Sequence, residues 1–199
     1  MQVQWTSLLL AVALLLPPIP LSASIRKFLK SHHNSTTSIR SLLGIWQNWA
    51  DLIRAGVGVF LLMEWAIQLS PAVKGAGAKA IMFQGTILGV SLLFQIVRFI
   101  QGPRLVAPIF YLCGFTMVLG GYAAGGFAVF AGWLFVIERK SPTFQLPIMG
   151  VALVAAGFLL GLNLRLLLAC GFTFAPFFFG FLFNQPLAFV ARERMVAAP

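Results

Sequence analysis

The chain has 199 residues, of which 60% are hydrophobic and only 9% are charged, and its formal net charge at pH 7 is +10. Soluble domains have about a quarter of their residues charged, so this composition predicts an integral membrane protein. The basic residues stand at the ends of apolar runs, as the positive-inside rule predicts, which argues against nucleic acid as a partner. Cys113 and Cys170 lie inside apolar runs and predict buried thiols without a disulfide framework.

The first apolar run, Trp5 to Ser22, has the length of a signal-peptide core or of a short spanning helix. No Lys or Arg precedes this run, whereas Arg26 and Lys27 follow it. Because basic residues stay on the cytoplasmic side of a membrane, we expect an uncleaved anchor with its N-terminus outside.

Residues 23–52 are predicted to form a cytoplasmic loop that contains an interfacial amphipathic helix. Apolar residues recur at helical spacing from Ile39 to Ile53, opposite polar ones. Trp46 and Trp49 lie on the apolar face of this segment. Both are therefore predicted to anchor the helix in the membrane interface.

Four further apolar segments follow, and a segment of about 20 such residues crosses a hydrocarbon core of roughly 30 Å. They are Ile53 to Ser70, Ala80 to Ile100, Leu146 to Leu162 and Leu166 to Val190. The stretch 105–137 is too long for one span, because as a single helix it would measure about 50 Å. Glycine pairs at 120–121 and 125–126 predict a turn inside it. A hairpin, either spanning or re-entrant, also returns the charged residues 138–140 to the cytoplasmic side.

The sequence therefore predicts an all-α fold, with residues 1–199 forming a single transmembrane domain. We expect a polytopic helix bundle of about seven hydrophobic segments, within a range of five to seven, with the N-terminus outside and the C-terminus in the cytoplasm. All but three of the 14 basic residues then lie inside, the exceptions being Lys74, Lys79 and Arg165. This asymmetry is typical of a bacterial-type inner (plasma) membrane.

Glu64 differs from the other acidic residues, because no basic residue lies within one helical turn of it. By contrast, Asp51 precedes Arg54 by three residues, and this pair is predicted to be a solvated ion pair near a helix end. Glu64 lies well inside the second apolar segment, and an unpaired charge at a bilayer centre costs at least about 2.5–3.5 kcal/mol.

Two interpretations of Glu64 are open at this stage. In one, Glu64 belongs to an intramembrane polar site that binds a proton or a cation, together with three glutamines. These glutamines are Gln68, Gln84 and Gln95. In the other, Glu64 lies near the outer boundary and pairs with a counter-charge. The available counter-charges are Lys74, Lys79 and Arg165.

Small residues at regular spacing predict close helix packing in two segments. The first pair is Gly85 and Gly89, and the second set is Gly150, Gly157 and Gly161. Such glycines let two backbones approach, but they do not identify the partner helix.

No metal site and no cofactor is predicted, although bound lipids are expected. The two histidines, His32 and His33, are adjacent in a polar loop, which disfavours a histidine-ligated haem or chlorophyll within the membrane. The sequence also contains no nucleophile elbow, phosphate loop or paired carboxylates.

The sequence therefore predicts a non-catalytic integral membrane subunit or scaffold, packed within a larger membrane complex. Its expected partners are the lipid bilayer and other membrane subunits. A small transporter or channel with a polar site around Glu64 is the first alternative, and a lipid-modifying membrane enzyme is the second.

Overall fold

The computed structural model describes residues 2–16, 46–68, 76–99, 103–105, 108–139, 144–161 and 163–183. Within these ranges the chain folds into seven α-helices. They are α1 (Trp5–Leu15), α2 (Trp46–Phe60), α3 (Ala76–Ile96), α4 (Ile109–Leu119), α5 (Tyr122–Arg139), α6 (Gln145–Leu160) and α7 (Leu164–Leu182). A π-helical turn, Leu61–Trp65, continues α2 without a break.

Two very short antiparallel pairs supplement the helices. The pair β1 (Gln2–Val3) and β2 (Ile67–Gln68) joins the start of α1 to the chain that follows the π-helical turn. The pair β3 (Val97–Phe99) and β4 (Pro103–Leu105) lies between α3 and α4. The fold is otherwise all-helical in the described residues, as its apolar composition predicts.

In the described residues, each predicted apolar segment overlaps at least one helix, although the helix ends differ from the predicted bounds. The stretch 105–137 forms the expected hairpin, in which α4 and α5 are joined at Gly120 and Gly121. Gly121 adopts a φ of 83°, a conformation that glycine reaches without a Cβ clash. The second glycine pair lies inside α5 instead of in the turn, and there a Cβ on Gly125 would overlap the carbonyl oxygen of Thr116.

The predicted boundary between an interfacial helix and the second segment, near residue 52, lies inside one continuous helix. Helix α2 runs from Trp46 through this boundary to Phe60, so the end of the expected amphipathic helix and the following apolar segment are one element. The part of the expected loop and helix that precedes residue 46 lies outside the described residues.

Helix α2 packs most closely against α4. A Cβ on Gly114 would overlap the carbonyl oxygen of Leu52 and would lie 3.1 Å from the backbone nitrogen of Gly56. The two helix backbones therefore meet directly at this point, as small residues allow in membrane bundles. Around this contact α1 packs on α2, α5 packs on α6, and α7 lies across α3, α4 and α6.

Among the described residues, two helices are long and apolar enough to cross a membrane, over Lys79–Ile96 in α3 and Leu164–Leu182 in α7. Only 39% of the α3 window and 22% of the α7 window are buried inside the protein. A core helix of a soluble protein would be mostly buried, so the exposure of both helices adds limited support for a membrane location. The other apolar helices described are shorter.

Candidate functional site

The most extensive polar cluster in the described residues surrounds Arg54 on α2. The Nε atom of Arg54 donates to Oδ1 of Asp51 at 2.8 Å, Nη1 donates to the carbonyl oxygen of Leu14 at 2.8 Å, and Nη2 donates to Oε1 of Gln95 at 3.2 Å. The guanidinium also lies 5.2 Å from the centre of the Tyr111 ring, within cation–π range. One side chain thus connects α1, α2, α3 and α4.

The cluster satisfies the last carbonyl groups of α1. Gln95 donates from Nε2 toward the carbonyl oxygens of Leu15 and Leu16 at 3.4 and 3.3 Å, and the Tyr111 hydroxyl lies 3.4 Å from the Leu15 oxygen. The same hydroxyl donates to Oγ of Ser91 at 3.2 Å. A helix leaves its last four carbonyls without internal partners, so side chains from other helices provide them here.

Charge is balanced within the same cluster. The carboxylate of Asp51 offsets the guanidinium of Arg54, and the negative end of the α1 dipole faces the same cation. Only 12% of the Arg54 side chain and 14% of the Asp51 side chain are exposed. The prediction of a solvated ion pair near a helix end is therefore wrong, because both residues lie within α2 and are covered by neighbouring helices.

Glu64 forms an ion pair at a distance from this cluster. Its Oε1 atom accepts a 2.6 Å hydrogen bond from Nη1 of Arg165, at the beginning of α7. About half of each side chain stays exposed, 45% for Glu64 and 46% for Arg165. Of the other two candidate counter-charges, Lys79 is exposed and Lys74 lies outside the described residues.

Gln84 contacts the π-helical turn beside Glu64. Its buried Nε2 atom donates to the carbonyl oxygen of Leu62 at 2.8 Å and lies 3.4 Å from that of Met63. Leu62 and Met63 lie in the last turn of this helix, whose carbonyls have no partner within the helix, and Gln84 provides one from α3. For Gln68 the structure gives only the backbone, which pairs with Gln2.

The three of these polar side chains that the structure describes have separate partners. Gln95 belongs to the Arg54 cluster, Gln84 binds the π-helical turn, and Glu64 binds Arg165 at the surface. Gln84 and Gln95 lie on the same helix but about 16 Å apart along its axis. Sequence reasoning missed Tyr111 and Ser91, because neither has a charge or a motif that marks it.

Two further polar contacts are buried between helices. The hydroxyls of Thr116 and Thr173 are 3.1 Å apart across α4 and α7. Nε2 of Gln145 lies 3.2 Å from Sγ of Cys113, while Oε1 of Gln145 has no hydrogen-bond partner among the described residues. No group of three or more His, Cys, Asp or Glu side chains that could hold a metal occurs in the described ranges.

The glycines predicted to mediate packing have different neighbours. Ideal Cβ positions on Gly85 and Gly89 lie 3.8 and 3.6 Å from side chains of α7. Gly150 lies under the ring of Phe174, and Gly157 is buried. Gly161 instead ends α6 with a φ of 93°, and no neighbouring atom lies within 4 Å of its ideal Cβ.

The two tryptophans predicted to be interfacial both lie in the first turn of α2. Trp46 is exposed, and Trp49 is partly exposed with its ring centre 6.1 Å from that of Phe110. Trp49 therefore contributes to the contact between α2 and α4 as well as to the surface.

Comparisons with protein-family models, with curated proteins and with solved structures show no match to this chain. What the protein does must therefore follow from its own contacts.

Proposed function

We propose that this protein is a non-catalytic integral membrane component that packs against the bilayer and against other membrane subunits. The observation that carries this proposal is the large apolar surface that the helices expose. Large apolar side chains are exposed on most helices, up to 85% for Leu159 and 88% for Phe181. Several polar side chains, by contrast, are buried among the helices. These are Asn48, Gln84, Ser91, Gln95, Thr116, Gln145 and Thr173.

This distribution suits a surface covered by acyl chains. Soluble monomers rarely expose a continuous apolar patch larger than a few hundred Å². Here the exposed apolar residues occur on α1, α3, α5, α6 and α7 alike, as Leu9, Phe94, Phe130, Phe158 and Phe178 illustrate. A single protein partner cannot cover faces in all these directions, whereas a lipid bilayer can.

The internal polar contacts support a structural role for the buried groups. Arg54 and Gln84 bind backbone carbonyl oxygens of neighbouring elements, and the Thr116 and Thr173 hydroxyls bind each other. Each of these contacts joins two elements of the bundle. Hydrogen bonds of this kind hold membrane helices together where the hydrophobic effect does not.

The transporter alternative receives less support from the position of Glu64. It requires a carboxylate that faces an internal cavity, whereas Glu64 is half exposed and paired with Arg165.

The charge asymmetry along the chain supports a bacterial-type inner membrane, with Lys79 and Arg165 on the outer side.

Two measurements on cell membranes test this proposal. We expect the chain to remain in the membrane fraction after alkaline carbonate washing, and release into the supernatant would contradict integral insertion. We then expect native mass measurement of the gently solubilised particle to give a mass well above the 21.7 kDa of one chain. A monodisperse single chain would contradict the role as a subunit.

A further inference from the structure

The two apolar windows in α3 and α7 run parallel and begin at the same level of the bundle. An ideal Cβ on Gly85 lies 3.8 Å from the Leu168 side chain. Four residues further along each helix, an ideal Cβ on Gly89 lies 3.6 Å from the Phe172 ring. The first of these contacts lies four to six residues after the start of both windows. Taken with the membrane role proposed above, on which this step rests, the shared starting level is one boundary of the bilayer.

The ion pair of Glu64 and Arg165 lies at this boundary. Arg165 is the second residue of the α7 window, and Lys79, which is exposed, is the first residue of the α3 window. Charged side chains near the ends of spanning helices extend toward the headgroup region. The half-exposed pair therefore faces lipid headgroups instead of the acyl chains at the bilayer centre.

Exposed tryptophans lie at the same end of the bundle. Trp65 directly follows Glu64 in the π-helical turn. Trp5 begins α1, next to the point where the backbone nitrogen of Gln4 donates to the Ala66 oxygen at 2.9 Å. Both indole side chains are exposed. Because tryptophan is enriched at the membrane–water interface, these residues support the position of the boundary independently of the two windows.

The ion pair leaves both donor and acceptor atoms available to a ligand. Nη1 of Arg165 donates to Oε1 of Glu64, and within the described ranges neither side chain has a further hydrogen-bond partner. The second carboxylate oxygen and the other two guanidinium nitrogens are therefore available. Glu64 also lies in a π-helical turn, a geometry that occurs frequently at functional sites.

We propose that Glu64 and Arg165 together bind the headgroup of a phosphoethanolamine lipid, with the guanidinium on the phosphate and the carboxylate on the ammonium group. Guanidinium groups bind phosphate oxygens through paired N–H donors. A primary ammonium carries three N–H donors, of which one reaches the free carboxylate oxygen. The two halves of the ion pair thus match the two charges of one headgroup.

The balanced charge of the pair selects a zwitterionic headgroup. An anionic phosphatidylglycerol headgroup would bind Arg165 but would also meet the Glu64 carboxylate, and like charges repel each other. A phosphocholine headgroup has no N–H donor for that carboxylate. Exposed apolar side chains continue along α7 as Leu167 and Phe178, and they offer a surface to the acyl chains of the bound lipid.

Native mass spectrometry of the detergent-solubilised full chain, titrated with lipids of identical acyl chains, tests this inference. We expect phosphatidylethanolamine to bind roughly tenfold more tightly than phosphatidylglycerol or phosphatidylcholine, because charged hydrogen bonds contribute at least this factor. Glu64→Gln should abolish the preference, since a neutral amide neither attracts the ammonium nor repels an anionic headgroup. Arg165→Gln should weaken the binding of phosphatidylethanolamine by roughly tenfold.

The matched control is Lys79→Gln, which removes a positive charge at the same boundary but leaves the ion pair intact. It should preserve the preference for phosphatidylethanolamine. Equal weakening in Lys79→Gln and Arg165→Gln would overturn the inference, because basic charge alone would then explain the binding. Soluble phosphoethanolamine shares the headgroup chemistry but has no acyl chains. It should displace the lipid only at far higher concentration, and displacement at equal concentration would refute a lipid as the ligand.

Two further outcomes would overturn the inference: equal affinity of the unaltered chain for all three lipids, or a preference that survives Glu64→Gln. If Arg165→Gln does not fold by circular dichroism, Arg165→Lys replaces it. Lysine keeps the charge but loses the paired donors, so unchanged lipid binding in this variant would refute the guanidinium contact. Carbonate extraction is measured separately. Release of the chain by carbonate would contradict the proposed function, whereas a missing lipid preference in a retained chain would refute only this inference.

Discussion

The guanidinium of Arg54 donates a 2.8 Å hydrogen bond to the carbonyl oxygen of Leu14, 40 positions earlier in the chain. Through this contact a side chain in the middle of α2 provides a partner for a carbonyl group at the end of α1, where the helix offers none. Helix α1 is therefore part of the folded bundle instead of an independent anchor. The consequences can be measured in single variants.

Removing the counter-charge of Arg54 should be strongly destabilising. We expect Asp51→Asn to lower the free energy of unfolding by about 3–5 kcal/mol, because a buried cation loses its partner. Unfolding of the solubilised protein, followed by circular dichroism, provides the measurement. A loss below about 1 kcal/mol would mean that the pair is solvated.

The surface ion pair should contribute much less. Glu64→Gln removes the charge that faces Arg165 but leaves a side chain of the same size. Because about half of each partner is exposed, we expect a change within about 1 kcal/mol. Measured in the same unfolding experiment, Glu64→Gln is the matched control for Asp51→Asn. An equal loss of unfolding free energy in both variants would contradict the contrast between the two ion pairs.

Helix packing at Gly114 should not tolerate a methyl group. In Gly114→Ala the new Cβ would overlap the Leu52 carbonyl oxygen, so α2 and α4 must separate, at a cost of about 1–3 kcal/mol or more. The control is Gly126→Ala on α5, where no neighbouring atom lies within 4 Å of the Cβ position. That variant should be neutral or slightly stabilising because alanine favours helix. If Gly126→Ala unfolded at a lower temperature than Gly114→Ala, the close contact between α2 and α4 at Gly114 would be contradicted.

Gln84 should stabilise the π-helical turn. We expect Gln84→Leu to cost about 1–3 kcal/mol, because the Leu62 carbonyl oxygen loses its buried partner. Faster amide exchange should be confined to residues 61–66, which hydrogen–deuterium exchange resolves. Thr86→Val on the exposed face of α3 is the control, and it should leave this segment protected.

Fluorescence quenching can locate the membrane boundaries. In chains that retain a single tryptophan, Trp46 and Trp65 should each be quenched best by lipids that carry the quencher near the headgroup. Trp133, which is partly buried against the core, should be quenched less by either shallow or deep probes. Strong quenching of Trp65 by a probe at the bilayer centre would place the membrane elsewhere.

The order and number of helices follow from the local pattern of apolar residues. In the described residues each predicted segment overlaps at least one helix, and the turn at Gly120 and Gly121 was expected from the glycine pair. These features depend on neighbouring residues, so hydropathy and glycine placement are sufficient to predict them. The apolar periodicity changes near residue 52, while the helical backbone continues to Phe60. That residues 23–52 form a cytoplasmic loop with an interfacial helix stays a prediction.

The sequence by itself determined that the chain is an apolar helical protein with asymmetric charge, and it identified Glu64, Gln84 and Gln95 as unusual polar residues. Only the tertiary structure decided their partners, because Arg165 and Leu62 are distant in the chain from the side chains they bind. It also showed that Asp51, expected to be solvated, is the covered acidic residue, whereas Glu64 is half exposed. Spacing shows that Asp51 and Arg54 can pair, but burial depends on α1, α3 and α4 meeting around them, which no local pattern encodes.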